Sequence, residues 1–225
     1  MGKFLRMTDP RLSDRARAAG SRAAGELSVQ VTRALSAIAV IGLMLAAMWV
    51  LEVVNYAGND SLEQYGIRSR DFADLPDIFS APFLHANLDH IAANTLPFAI
   101  LGLVAAVRGV GKFLLMNLIV IIVGGLGVWF TGPSNAETLG ASILVFGYFG
   151  YIVGRGVFER RIADTVIAIV VGVFYWSILY GLVPTDQQIS WQGHLFGLIG
   201  GLLASYTLRR RRTSQRRTSQ RPISP

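Results

Sequence analysis

The chain contains no cysteine among its 225 residues. That excludes a disulfide scaffold, a thiolate metal site and a cysteine nucleophile. Charge is scarce as well. Only 16% of residues are charged against 52% apolar, and the mean hydropathy of +0.46 is high for a globule that folds in water. Acids are the rarer sign, 14 against 21 Lys and Arg, giving a net charge of +7 and a pI near 10.2. Such a balance raises nucleic acid as a partner, so the placement of the charges has to decide.

What is present is a succession of long uncharged runs. Segments free of Asp, Glu, Lys and Arg cover 34–51, 91–107, 113–130, 138–154, 165–185 and 187–208. Each is about the 17–25 residues that cross a bilayer core as a helix. Six in succession, joined by short polar loops, predict an all-α membrane protein with six transmembrane helices. With both ends in the cytoplasm, the inner segments hold 19 of the 21 basic residues and 5 of the 14 acids. The outer side keeps Arg68 and Arg70 against nine acids. This is the positive-inside asymmetry, and it accounts for the pI without nucleic acid.

The predicted organisation is a basic cytoplasmic segment over 1–33, a membrane domain over 34–208, and a disordered basic tail over 209–225. The first segment, rich in Arg and Ala, faintly resembles a transit peptide, but the run after it is too long for a signal h-region and reads as an uncleaved span. The tail, RRRRTSQRRTSQR, suits anionic lipid headgroups, the simpler role being a topology anchor. The one long outer loop, 55–87, is acidic and is expected to hold short interfacial helices.

Polar side chains inside a span are costly and mark function by default. His90 and Asn94 open the second span, Ser142 follows Gly140 in the fourth, and His194 opens the sixth. Counting 1.5 Å per residue to the charge ending each helix places Asn94, Ser142 and His194 about 21, 20 and 22 Å above the cytoplasmic side. They share one layer, roughly 10 Å below the outer surface of a core about 30 Å thick. Gly193, Gly197 and Gly201 recur every fourth residue, a face that admits another helix closely, and Ser142, Phe146, Gly150 and Gly154 share a face of the fourth span. Faces that meet would bring Ser142 beside His194. His85 is expected at the solvated outer rim with no catalytic part. Its spacing from His90 and the lack of a carboxylate in the layer argue against a metal site. Asn117 reads as interhelical glue, and Ser36, Ser177 and Ser205 as structural.

A serine beside a histidine permits attack on a carbonyl, with the imidazole as base and then acid. No acid lies in the layer, so the pair is a dyad. The Ser142 N–H at a helix N-terminus and the side chains of Asn94 and His90 are the candidate oxyanion donors.

These strings resemble the rhomboid family of intramembrane serine proteases, over about Phe83 to Gly201. His90 and Asn94 match its span-two motif, Gly140 and Ser142 its nucleophile string, and His194 with Gly197 and Gly201 its base motif. The resemblance implies a six-helix rhomboid-like bundle with Gly140, Gly197 and Gly201 in helix packing. It implies no cofactor, and cleavage of transmembrane protein substrates in or near their membrane segments. It also gives Phe174, Tyr175 and Trp176 a part in a lateral gate on span five. Three positions depart from the family pattern. Ile143 stands where Gly is common and is expected to narrow the subsite, and Phe146 replaces the Tyr that packs on the histidine. Pro76 and Asp77 occupy the stretch of a usual Trp-Arg pair. The alternatives are a catalytically silent relative that binds membrane proteins, which retention of Ser142 and His194 disfavours, and a transporter, for which no internal repeat is found.

Overall fold

The computed structural model describes residues 10–184 and 190–209. In lipid a spanning segment must satisfy its own backbone, so the apolar runs fold as helices. These are α1 (Pro10–Ala57), α2 (Leu88–Ala106), α3 (Val110–Thr131), α4 (Ser142–Phe158), α5 (Ile162–Tyr175) and α6 (Trp191–Thr207), with Trp176–Leu182 continuing α5 as a 3₁₀ helix. The expected six-helix bundle is what forms. Part of α1, α2, α3 and the joined Ile162–Leu182 are long and apolar enough to cross a membrane, and α4 is apolar but shorter, at 17 residues. The protein is an integral membrane protein.

The helix bounds depart from the uncharged runs for local reasons. α1 runs through the basic stretch and on to Ala57 without a break. α4 starts at Ser142, four residues later than the run, because 138–141 is engaged elsewhere. Thr138 pairs with Ile67 in an isolated antiparallel bridge, and Gly140 adopts a φ of 127°. α6 starts at Trp191, where the Ser190 side chain accepts the Gly193 N–H at 3.2 Å and caps the helix. The tail expected beyond Arg209 lies outside the described residues.

α4 is the central helix, with twelve of its 17 residues buried, whereas α5 buries only Asp164 and Val171. α4 and α6 approach to backbone contact. A methyl at Gly150 would lie 2.5 Å from the Leu198 carbonyl oxygen, and one at Gly197 or Gly201 would meet the carbonyl of Ile143 or Gly147. Between α3 and α4, the Tyr148 hydroxyl donates to Asn117 Oδ1 at 2.7 Å, the interhelical role expected of Asn117. The outer loop carries three short 3₁₀ helices, as expected, and docks on the outer end of α3. The Arg70 N–H donates to the Trp129 carbonyl at 3.0 Å, the Trp129 indole to the Asp71 carbonyl at 2.8 Å, and Ile78 packs on Gly125.

At the opposite end of α4, about 20 Å along its axis from Ser142, sits a buried charge cluster. Asp164 of α5 takes Arg108 from the α2–α3 turn on one oxygen and Arg155 of α4 on the other, and Arg108 also reaches Glu159 at 3.4 Å. Arg155 and Asp164 are 5% and 3% exposed. From sequence these charges read only as orientation signals; the fold joins three connections through one carboxylate. Asp164→Asn would leave two guanidinium groups short of a counter-charge and is expected to cost about 3–5 kcal/mol. Unfolding in mixed micelles would measure it, and a loss under 1 kcal/mol would show that the cluster holds little.

Candidate functional site

The residues singled out from sequence gather around one cavity of about 1410 Å³, lined by His90, Asn94, Ser142, Phe146, Gly181 and His194. α2, α4 and α6 each contribute their first turn or two. Asn87 caps α2 by accepting the His90 N–H at 2.9 Å, and the Asn94 amide donates back to the His90 carbonyl at 3.0 Å. His90 and Asn94, one turn apart, therefore present to one side of α2. The helix passes through Pro97, which also lines the cavity.

Ser142 is the first residue of α4 and is half-buried. Three donors of the strand-like approach to it are occupied. The Thr138 N–H goes to the Ile67 carbonyl at 2.9 Å, the Gly140 N–H to the Ala81 carbonyl at 2.9 Å, and the Ala141 N–H to His85 Nε2 at 3.3 Å. Among the described residues the Ser142 N–H has no partner. It is an unpaired donor at the positive end of a helix, facing a cavity.

His194, 8% exposed, stacks on Phe146 with ring centroids 4.1 Å apart and planes 8° from parallel. Phe146 thus fills the place of the ring expected to pack on the histidine. His194 Nδ1 lies 2.7 Å from the Gly181 carbonyl oxygen. A carbonyl only accepts, so Nδ1 carries the proton and Nε2 keeps its lone pair. Ser142 and His194 line the same cavity, but no hydrogen bond joins them. A hydroxyl–imidazole hydrogen bond is often long or unformed in an unliganded site.

Several positions differ from expectation. His85 is not at a solvated rim: it is 2% exposed, its ring meets His90 edge-on at 5.1 Å, and it holds the Ala141 peptide. The Asn55 amide reaches its carbonyl at 3.4 Å and tethers it to α1. Gly140 does not pack helix on helix; it precedes α4 in a conformation that favours glycine, and a Cβ there would lie 2.6 Å from the His90 ring. Gly197 and Gly201 do pack helix on helix, as expected. Ile143 does not narrow the cavity. It is buried away from it, its side chain seated against Gly124 of α3 and Gly193 of α6. The bulk added beside Ser142 is absorbed by two glycine notches. Phe174 and Trp176 are exposed on the periphery, 78% and 57%. Among the described residues no cluster of metal-binding side chains occurs. Sequence reasoning missed His85 and Gly181. Neither had a signal of its own: the first lies in a loop outside any periodic pattern, and the second acts through a main-chain group.

Ile143→Ala would empty the seat between α3 and α6. The loss should be on the order of 2 kcal/mol, from packing more than from transfer, since lipid is as apolar as the seat. Unfolding in micelles tests it, and an unchanged midpoint would show that the seat is not filled. Burial, with a smaller contribution from His90, lowers the His85 pKa to about 3. The unfolded chain, near 6.5, therefore binds one more proton between about pH 6.5 and 3, and stability falls as pH drops through that window. His85→Gln keeps an acceptor for Ala141 and removes the titration. Its stability should fall less steeply between pH 6.5 and 4, by up to about 1.4 kcal/mol per pH unit. Parallel slopes for the two proteins would contradict the burial of a neutral imidazole.

The relatives of the chain agree with the architecture. The family model of the Rhomboid domain matches residues 73–211. An uncharacterized protein of Mycobacterium tuberculosis is 36% identical over 172 residues, covering 73% of this chain and 72% of that protein. One from Mycobacterium leprae is 34% identical, covering 73% and 68%. A Bacillus subtilis protein, provisionally named as the rhomboid protease YdcA, is 28% identical over 125 residues, 55% of this chain and 62% of that one. With its domain matched from the outer loop through α6, this chain belongs to the rhomboid family.

Proposed function

We propose that the protein is an intramembrane serine endopeptidase that cleaves transmembrane segments of other membrane proteins. Ser142 is the nucleophile, His194 the general base, and the Ser142 N–H with the Asn94 and His90 side chains the oxyanion donors. The observation that carries this reading is the single cavity onto which an otherwise unpaired helix-start N–H, its own hydroxyl and an imidazole with a free Nε2 all open.

The steps follow from these groups. Ser142 Oγ attacks the substrate carbonyl carbon as its proton passes to His194 Nε2. Negative charge gathers on the former carbonyl oxygen, within reach of the unpaired N–H and of the amide and imidazole on α2. The C–N bond breaks, the imidazolium returns its proton to the leaving amine, and an acyl-serine remains. Water then repeats the sequence with the same base and releases the acid product. Polar groups around the cavity mouth, among them Asn87, Asp89, Asn135 and Gln192, give that water a route. A peptide carbonyl within a helix is engaged by its own chain, so substrates whose segment unwinds readily, with small residues at the cut, fit best. The charge asymmetry supports an orientation in the plasma membrane with both termini on the cytoplasmic side and the cavity on the outer side.

Coexpression with a reporter bearing a transmembrane segment should yield a cleaved product, lost in Ser142→Ala and in His194→Ala. Asn94→Ala should lower turnover by about 10²–10³. A fluorophosphonate probe should label the wild type and not Ser142→Ala. Cleavage that survives in Ser142→Ala would refute the mechanism. No cleavage and no labelling would favour a silent, membrane-protein-binding member of the family.

A further inference from the structure

We propose that the main-chain carbonyl of Gly181 is the positioning group of His194, taking the part a carboxylate takes in a serine–histidine–acid triad. This rests on His194 acting as base. Among the described residues no Asp or Glu forms an ion pair or hydrogen bond with His194. Its Nδ1 instead meets this carbonyl at 2.7 Å.

The carbonyl is free to do so for a reason written in the sequence. Gly181 lies at the end of the 3₁₀ helix Trp176–Leu182, where a carbonyl bonds the N–H three residues on. Three residues on is Pro184, which has no N–H. The acceptor is left without its local partner, and the imidazole takes it. Glycine is required at 181 by the closeness of the ring: a Cβ would lie 2.7 Å from His194 Nδ1 and 3.1 Å from Phe146 Cζ. The Phe146 stack fixes the plane of the imidazole, and the carbonyl fixes its rotation within that plane. The pair thereby selects the tautomer with Nε2 unprotonated. A neutral acceptor performs this without placing a carboxylate at membrane depth, where a charge is costly.

The segment that carries the acceptor is peripheral, with Trp176 57% and Tyr180 65% exposed. The orientation of the base is therefore set by an element at the bundle's edge, and a displacement of that element releases the ring.

The chain has three histidines, so ¹⁵N imidazole NMR of the full-length protein in micelles resolves each, with His85→Gln and His90→Gln assigning them. At neutral pH His194 should be the Nδ1–H tautomer. Gly181→Ala should mix the tautomers and lower kcat on a cleaved reporter by about 10²-fold, the order of a 1 Å misplacement, with KM within about twofold. Pro184→Ala, which adds no bulk near the ring, restores a competing N–H. It should shift the tautomer in the same direction with a smaller loss of kcat. An Nε2–H tautomer in the wild type would overturn the inference, as would both variants keeping wild-type spectra and kcat. Failure of the protease reading looks different: an Nδ1–H His194 in a protein that cuts no reporter and takes no fluorophosphonate.

Discussion

The close approach of α4 and α6 is the constraint on which the rest depends. Neither helix has a hydrophobic reason to prefer the other over lipid, so contact has to come from packing. Glycines on both supply it, each backbone lying where the other's side chains would have been. Helices packed this tightly cannot slide or rotate freely, and their outer ends are thereby held in register. Ser142 and His194 both sit in first turns at those ends. Ile143 shows how firmly that geometry is kept. A large side chain directly after Ser142 is accommodated by notches in the neighbouring helices and not by displacing the helix start.

Holding the helix ends is not enough, because the chain entering α4 must also present a free donor. The outer loop does this by occupation. Ile67, Ala81 and His85 take the N–H groups of Thr138, Gly140 and Ala141, so the donor directly before the helix is occupied and that of Ser142 is not. The loop is itself fixed on α3 through Trp129 and tethered to α1 through Asn55. Loss of the usual Trp-Arg pair does not leave it loose, since the main chain around Arg70 and Asp71 makes the anchoring contacts instead. The loop is thus a template for the Ser142 peptide more than a cover over the cavity.

The legible part of this protein is what lipid enforces. Uncharged runs become helices because no alternative satisfies their backbone, and polar residues within them stand out against that background. His90, Asn94, Ser142 and His194 were visible for that reason, and their convergence on one cavity followed from helix spacing and rise. Other features were not visible because they depend on the fold's third dimension. His85 lies in a loop, where burial has no periodic signature. The direction taken by Ile143 turns on whether Gly124 and Gly193 lie opposite it, which a single sequence does not state. The uncharged run begins four residues before α4 because a bridge to Ile67, over 70 residues away, competes with helix formation at Thr138. Arg108, Arg155 and Asp164 read from sequence as signals of sidedness, a reading that hid their part in packing.

The two polar clusters at opposite ends of α4 differ in how fully their groups are paired, and the difference separates structure from chemistry. At the inner end Asp164 spends both oxygens on guanidinium groups, so the carboxylate locks elements together and has nothing left with which to act. At the outer end the pairing is deliberately incomplete. His194 uses one nitrogen and keeps the other, and the Ser142 peptide keeps its N–H while that of Ala141 before it is taken by His85. An unpaired polar group buried in a membrane protein costs stability unless water or a ligand reaches it. The cavity supplies that access, so the groups left unpaired by the fold are those on which a substrate carbonyl can draw.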